Sequence, residues 1–203
     1  MSNKISIVLF ISWLILPLHA SPGYSQSEDH ALLVDVKYWK SKGDTAFGKA
    51  MYINQYNFQF NLTICDTSGQ PLAYYSPKDL EGFLYTTGDE TIEYTSVQNP
   101  VDMGRLFLRV VYRGRYTLYQ LLDINYRTSV LSFLVSYYLW DNKWVLPPIT
   151  SSFETESLLY HFSSCPELEY KIKTSQYGLP HIKEIIDEFE HCDLTDRYEF
   201  FFE

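Results

Sequence analysis

The sequence predicts an α+β protein: a mainly antiparallel β-sheet, or a partly closed barrel or sandwich, built from hairpins and followed by two to three C-terminal helices packed on it. Three observations support this fold class. Apolar and polar residues alternate with a period of two through most of the chain, and turn-forming clusters separate the runs. Aromatic residues make up 17% of the chain, with 18 Tyr and 13 Phe, and these residues favour strands. After Pro147 and Pro148 the apolar period changes to about 3.6, which is typical of helices.

The chain begins with the features of a secretory signal peptide. Lys4 lies in a short polar region, an apolar run follows at residues 5–18, and small or turn-forming residues come next. The run is shorter than the roughly 18 to 20 apolar residues that a spanning helix needs, which favours a leader over a membrane anchor. We expect cleavage after Ala20 or after Ser25, which removes residues 1–25.

The rest of the chain predicts one domain. Residues 26–192 form a β-rich domain whose helices occupy about 152–191, and residues 193–203 form a short aromatic tail. Without the leader, 15 basic residues face 25 acidic ones, a net charge of −10 (15 − 25). This balance argues against a nucleic-acid partner. We expect no membrane-spanning segment after signal cleavage.

The first half of the domain predicts a series of short strands. Two apolar-rich runs flank Ser41, Gly43 and Asp44, which indicates a first hairpin at residues 31–53. Residues 57–65 alternate cleanly and predict a strand. Further strands are predicted at residues 72–75, 83–85 and 91–95, with a turn at 76–79 and a loop at 97–104.

Residues 105–122 are the longest apolar stretch after the leader and predict a central hairpin. In its first half, one face carries Leu106, Leu108, Val110 and Tyr112, and the other carries Arg105, Phe107, Arg109, Val111 and Arg113. Gly114 follows, where glycine can take the positive φ of a tight turn, and the alternation then restarts at Tyr116. A single helix is disfavoured, because a mid-helix Gly114 costs about 1 kcal/mol and β-branched and aromatic residues are dense here.

A third hairpin and three helices complete the prediction. Residues 129–140 turn at Asp141 and Asn142 into a strand at 143–146, which we expect Pro147 and Pro148 to stop. A first helix spans residues 152–162 with Ser152 as its N-cap, and a second spans about 165–174. The third opens at residues 178–180. Its apolar stripe, which should pack on the sheet, consists of Ile182, Ile185, Ile186 and Phe189.

The three cysteines allow one intramolecular disulfide. If the second and third helices pair antiparallel, Cys165 and Cys192 lie at the same end and can bridge. The alternative is two unpaired cysteines in a packed helical layer. Cys65, on a predicted strand, is the expected free thiol, and an exported protein reaches compartments where a disulfide persists.

Two groups of polar residues are candidate sites. An anionic polymer or acidic surface is the ligand suggested by four arginines of the central hairpin, Arg105, Arg109, Arg113 and Arg115. The alternative, which we favour, is a set of solvated arginines on an outer face or edge. Four residues of the last helix are spaced by three and four positions and therefore share a face: His181, Glu184, Glu188 and His191. The last two have the Glu-x-x-His spacing of carboxylate metal sites. Ordinary helix amphipathicity favours a solvated polar face instead, so no metal site and no cofactor is predicted.

Aromatic residues offer one further candidate. The run at residues 137–140, Tyr-Tyr-Leu-Trp, has side chains that can stack on sugar rings, although such runs more often pack in a core or across strands. The sequence contains no glycine-rich phosphate loop, no Cys-x-x-Cys pair and no Gly-x-Ser-x-Gly motif.

Several segments resemble a family of exported proteins of Bacteroidota-type Gram-negative bacteria, in which this β-rich region commonly precedes an outer-membrane β-barrel. The resemblance is carried by Gly43-Asp44-Thr45 with Gly48-Lys49, by residues 75–83 and 107–119, and by Cys165-Pro166 with a helix that ends at Cys192. The sequence departs from the family at Glu190-His191, where a Tyr-Asn pair is expected, and only residues 193–203 follow. The resemblance implies an envelope location and carries over no functional residue.

These observations together predict a non-enzymatic, exported binding or interaction domain, periplasmic, associated with the outer membrane or extracellular. Its expected partner is an envelope protein or polymer. The alternative is a metal-dependent or hydrolytic enzyme that uses the polar face of the last helix.

Overall fold

A computed structural model describes residues 32–41, 43–99, 104–124 and 132–199. The predicted leader and the last residues of the predicted tail, 200–203, lie outside these ranges. Within them the chain forms ten strands and four α-helices. The strands are β1 Leu32–Ser41, β2 Asp44–Tyr52, β3 Leu62–Cys65, β4 Pro71–Tyr75, β5 Gly82–Thr87, β6 Glu90–Gln98, β7 Arg105–Arg113, β8 Thr117–Ile124, β9 Phe133–Trp140 and β10 Trp144–Thr150. The helices are α1 Gln55–Phe58, α2 Glu154–Phe162, α3 Pro166–Lys173 and α4 Ile182–Glu199, and a 3₁₀ turn, Leu179–His181, precedes α4.

The ten strands form one antiparallel sheet in the order β10-β9-β8-β7-β6-β5-β1-β2-β3-β4. Strands that follow each other along the chain are paired in the sheet, with the exception of β4 and β5. Strand β5 pairs with β1 instead. In the described ranges β4 and β10 do not pair, so the sheet is open rather than a closed barrel. The predicted α+β class and all three predicted hairpins are confirmed.

One face of the sheet, which we call the inner face, carries the core. Cross-strand partners share a face, and the register links Tyr38, Phe83, Tyr94, Arg109, Gln120, Tyr137 and Ile149 in one row across seven strands. Both ends of this row are apolar. The first apolar cluster surrounds Phe58 of α1, and the second joins Leu118 and Leu139 to the C-terminal helices. Arg109 and Gln120 lie between the two clusters.

The C-terminal helices pack on the second cluster as predicted. Ile182, Ile185 and Ile186 of α4 are buried there beside Leu158 of α2 and Leu168 of α3. Among the described helices, none is both long enough and apolar enough to cross a bilayer. Helix α4 continues to Glu199, so the prediction that a tail begins at residue 193 is wrong for its first part.

The strand predicted at residues 57–65 is wrong in its first half. Residues 55–58 form helix α1, because the Asn54 side chain caps it by accepting a hydrogen bond from the Asn57 N–H at 2.9 Å. Phe58 is then buried against Phe83 and Tyr85, at ring distances of 5.2 and 5.3 Å. The alternation of apolar residues through this segment therefore reflects one helical turn followed by strand β3.

Two predicted boundaries after β9 also need correction. Strand β10 runs through Pro147 and Pro148 to Thr150, because an edge strand tolerates the missing N–H groups and the register shifts between Val145 and Ile149. Helix α2 begins after Phe153 rather than Ser152, and Phe153 makes no side-chain capping bond. Pro166 occupies the first turn of α3, as predicted.

The turn at Gly114 requires glycine because of a close contact and not, as predicted, because of a positive φ. Positive φ values occur at Gly43, Gly69 and Gly88 but not at Gly114. A Cβ atom on Gly114 would lie 2.6 Å from both carboxylate oxygens of Glu190. Glu190 Oε1 accepts a hydrogen bond from the Tyr116 N–H at 2.8 Å, so the missing side chain lets α4 dock on the β7–β8 turn.

Candidate functional site

The outer face of β8, β9 and β10 carries a group of large aromatic side chains. Tyr119 of β8 pairs with Tyr138 of β9, and Trp140 pairs with Thr117 on one side and Trp144 on the other. These residues alternate with Leu118 and Leu139, which point into the helix-covered core. The four aromatic residues therefore lie on the face opposite the helices.

The Trp144 ring contacts the other three aromatic rings of this group. Its ring centroid lies 4.9 Å from that of Trp140, at an interplanar angle of 72°. The Trp144 ring also contacts Tyr119 at 5.5 Å and Tyr138 at 6.1 Å, both edge to face. Both tyrosines are buried and both tryptophans are partly exposed. The tyrosines thus form a floor, and the two indoles form a corner that remains open to solvent.

A cleft of about 490 Å³ adjoins this corner. It is lined by Val97, Gln98, Tyr119, Trp140, Asn142, Lys143 and Trp144. The size falls in the range of about 300–1,000 Å³ that is typical of small-ligand sites, as does the combination of apolar walls with a few polar groups.

The β9–β10 turn places two polar side chains at the cleft. Asn142 has a φ of 55°, and asparagine adopts this left-handed conformation more readily than most residues. The Asp141 N–H donates to the Lys143 carbonyl oxygen at 3.1 Å, which closes the turn. The side chains of Asn142 and Lys143 are exposed on the rim.

The electrostatics of the cleft are neutral to positive. Burial raises the pKa values of Tyr119 and Tyr138, so both hydroxyls stay protonated at neutral pH. None of the seven lining side chains is acidic, although the chain has 25 acidic residues. Arg113 near Tyr119 is paired with Glu93, whereas Lys143 has no carboxylate partner among the described residues.

Two other concavities are less suited to a ligand. One of about 770 Å³ lies on the outer face of β1–β3 beside Phe47, but Lys49 and Asp35 on its wall pair with each other at 2.7 Å. The other, of about 500 Å³, lies beside Cys165 and Cys192. Its Glu188 forms an ion pair with Lys171.

The four arginines suggested as a patch for an anionic ligand do not share a surface. Arg105 and Arg109 lie on the inner face, where Arg105 donates to the Ser96 carbonyl oxygen at 2.9 Å and Arg109 to Glu90 at 2.6 Å. Arg113 bonds Glu93 and Thr95 of the outer face. The prediction of a shared face is wrong for Arg113, because a β-bulge between Val110 and Tyr112 inserts one residue.

Arg115 follows in the turn after β7. Its guanidinium carbon lies 5.1 Å from the Tyr116 ring centroid, within the range of a cation–π contact.

The residues of the alternative metal site do not converge on one point, and the two histidines contact their own neighbours instead. The Gly178 N–H donates to His181 Nδ1 at 3.3 Å, and His191 Nδ1 lies 2.7 Å from the Asp187 carbonyl oxygen. Glu184 is exposed, and Glu188 pairs with Lys171 of α3. Over the parts of the chain that are described, no three His, Cys, Asp or Glu side chains are arranged to hold a metal ion.

The predicted cysteine pairing is present. The Sγ atoms of Cys165 and Cys192 lie 2.22 Å apart and the Cα atoms 6.0 Å apart, which is disulfide geometry. The bond ties the start of α3 to α4. Cys65 is the free cysteine and is buried.

The fold and cleft define a class, an open antiparallel sheet with a helical layer on one face and an aromatic cleft on the other. In comparisons with known proteins, no family model, curated protein or solved structure matches the chain.

Sequence reasoning found only part of this cleft. The run at residues 137–140 drew attention to Trp140, but it divides between the two faces of the sheet. The sequence does not indicate Tyr119 and Trp144, because their proximity to Trp140 depends on the register of three strands. The Asp-Asn turn between two aromatic strands was the one local signal that pointed to the rim.

Proposed function

We propose that this protein is an exported cell-envelope protein that binds an envelope polymer without catalysing a reaction, and that the aromatic cleft is its binding site. The observation that carries the proposal is the Trp140–Trp144 corner, which stays partly exposed over a buried tyrosine floor. Large aromatic residues with polar neighbours are typical of binding surfaces. The predicted leader and the resemblance to exported proteins support the envelope location.

Intrinsic fluorescence tests this proposal, because the tryptophans are few. The chain has four, Trp13, Trp39, Trp140 and Trp144. Cleavage of the predicted leader removes Trp13, so Trp39→Phe in the mature protein leaves only the two cleft indoles. We expect polysaccharide extracted from the envelope of the producing cell to change its emission saturably.

A matched pair of substitutions separates the cleft from the rest of the surface. Trp144→Ala should weaken binding about 10-fold or more, as is usual for a central aromatic contact. Tyr74→Ala removes an aromatic side chain that is 71% exposed on β4, and it should leave binding unchanged. If no envelope polymer gives a saturable signal, or if both variants bind as the parent does, the cleft is not a binding site.

A further inference from the structure

We propose, resting on the binding function above, that the ligand is a glycan segment that bears carboxylate groups. The cleft offers two kinds of surface to one ligand. The indole faces of Trp140 and Trp144 are apolar, whereas Asn142 and Lys143 present an amide and an ammonium group. A pyranose ring matches both, because its C–H face stacks on an aromatic ring while its hydroxyls reach hydrogen-bonding groups at the rim.

The angle between the two indoles strengthens this assignment. At 72° and 4.9 Å they cannot sandwich one flat ring between them. Each presents a face or an edge to a different part of the ligand. Two linked sugar units with different orientations fit such a corner better than a single planar ring does.

The charge of the cleft selects an acidic sugar. The whole chain has a net charge of −9, yet the part of the lining that the structure describes contains one lysine and no carboxylate. Other charged groups nearby are Asp141 in the same turn, Arg115 in the neighbouring turn and the Arg113–Glu93 pair. Neither Asp141 nor Glu93 lines the cleft, so a ligand carboxylate meets Lys143 without a competing acidic wall.

The same features argue against nucleic acid. A strand of nucleic acid carries a charge at every nucleotide and needs a basic groove along its length. The protein provides one lysine in the cleft and is acidic overall. A uronate-containing glycan carries its charge on separate rings that also stack, which suits a single lysine beside two indoles.

The test compares two probes of equal length on the two-tryptophan protein: an oligogalacturonate and a neutral galacto-oligosaccharide. We expect both to bind and the acidic probe to bind about 5-fold more tightly, which is the upper end for a solvent-exposed ion pair. Sodium chloride at 0.5 M should reduce this preference, since salt screens exposed charges. Lys143→Gln should remove the preference, so that the acidic and the neutral probe bind with equal affinity.

A second variant guards against misfolding of the turn. Asn142→Gly keeps a residue that adopts positive φ easily and removes only the amide, so it should weaken both probes equally. Equal affinity for the two probes, lost together in Trp144→Ala, would overturn the acidic preference and leave the binding function standing. If neither oligosaccharide binds while an envelope extract still binds in the cleft, the glycan assignment is wrong. If no envelope polymer binds either, the proposed function itself fails.

Discussion

Gln59 is the residue whose replacement tests the fold most directly. It follows helix α1 and is 1% exposed. Its side chain lies between β7 and β8: Nε2 donates to the Leu122 carbonyl oxygen at 2.9 Å, and Oε1 accepts from the Leu122 N–H at 2.6 Å. The Gln59 backbone carbonyl accepts from the Phe107 N–H at 2.9 Å. The pairing of β7 with β8 stops at Arg109 and Gln120. Beyond that point Gln59 lies between the two strands and makes the hydrogen bonds that they would otherwise make with each other.

Gln59→Ala should therefore cost about 2–5 kcal/mol of unfolding free energy. The substitution leaves the N–H and the C=O of the half-buried Leu122 without their side-chain partners, and each such group costs about 1–3 kcal/mol where water does not replace the partner. For a chain of this size the melting temperature should fall by about 5–15 °C. Urea and thermal unfolding followed by circular dichroism measure both quantities. Gln70→Ala, an exposed glutamine in the β3–β4 turn, is the control and should change neither.

Gln59→Glu separates the hydrogen bonds from the loss of side-chain volume. The carboxylate keeps an acceptor for the Leu122 N–H but turns a second acceptor towards the Leu122 carbonyl oxygen. Only a protonated carboxyl group restores the donor, so this variant should gain stability relative to the parent as the pH falls from 7 towards 5. If Gln59→Ala unfolds within about 1 kcal/mol of the parent and Gln59→Glu shows no pH dependence of its own, the bridging role is refuted.

Three further predictions concern the helical layer and the tyrosines. Replacing Cys165 and Cys192 by alanine should cost about 3–4 kcal/mol, the chain-entropy value for a separation of 27 residues, and the loss measured by urea unfolding should match that caused by a reductant. Gly114→Ala should cost about 1–3 kcal/mol because its Cβ meets both the Glu190 carboxylate and the Tyr112 ring. In a Glu190→Ala background only the Tyr112 contact remains, so the cost should shrink, and strict additivity would contradict the proposed contact with Glu190. Burial raises the pKa of Tyr85 to about 12, and burial together with Glu190 raises that of Tyr112 to about 12. Unfolded tyrosine ionises near pH 10, so the contribution of these two tyrosines to stability should be constant below pH 10 and fall between about pH 10 and 12. The difference in 295 nm absorbance between the folded parent and Tyr85→Phe isolates Tyr85 from the exposed tyrosines, and a midpoint at about pH 10 would contradict this.

Local patterns predicted the elements that local forces decide. The turn at Gly43 and Asp44, the alternation before Gly114 and the isoleucine stripe of α4 each specify an element from within a few residues. The bridge between Cys165 and Cys192 followed from two helix ends alone. Such inferences held because no distant contact competes with them.

The errors arose where distant contacts decide the structure. Phe58 and Phe60 alternate like strand residues, but Asn54 and the aromatic cluster select a helical turn. The bulge that separates Arg113 from Arg109 changes the face without changing the apolar pattern. Pro147 lies within a strand because β10 is at the sheet edge, and edge position is a property of the whole topology.

The cleft likewise combines a local contact with distant ones, and this combination supports the proposal that its aromatic residues are functional. Closing the β9–β10 hairpin requires one good cross-strand contact next to the turn, and the Trp140–Trp144 pair supplies it. If that were its whole role, replacing either tryptophan by leucine would lower stability and change nothing else. The arrangement has more than closure requires: Tyr119 forms a floor, and the turn adds Asn142 and Lys143 to an open rim. The helices cover only the inner face of β8 and β9, so this corner leaves an aromatic surface partly exposed to solvent, as the proposed binding function requires.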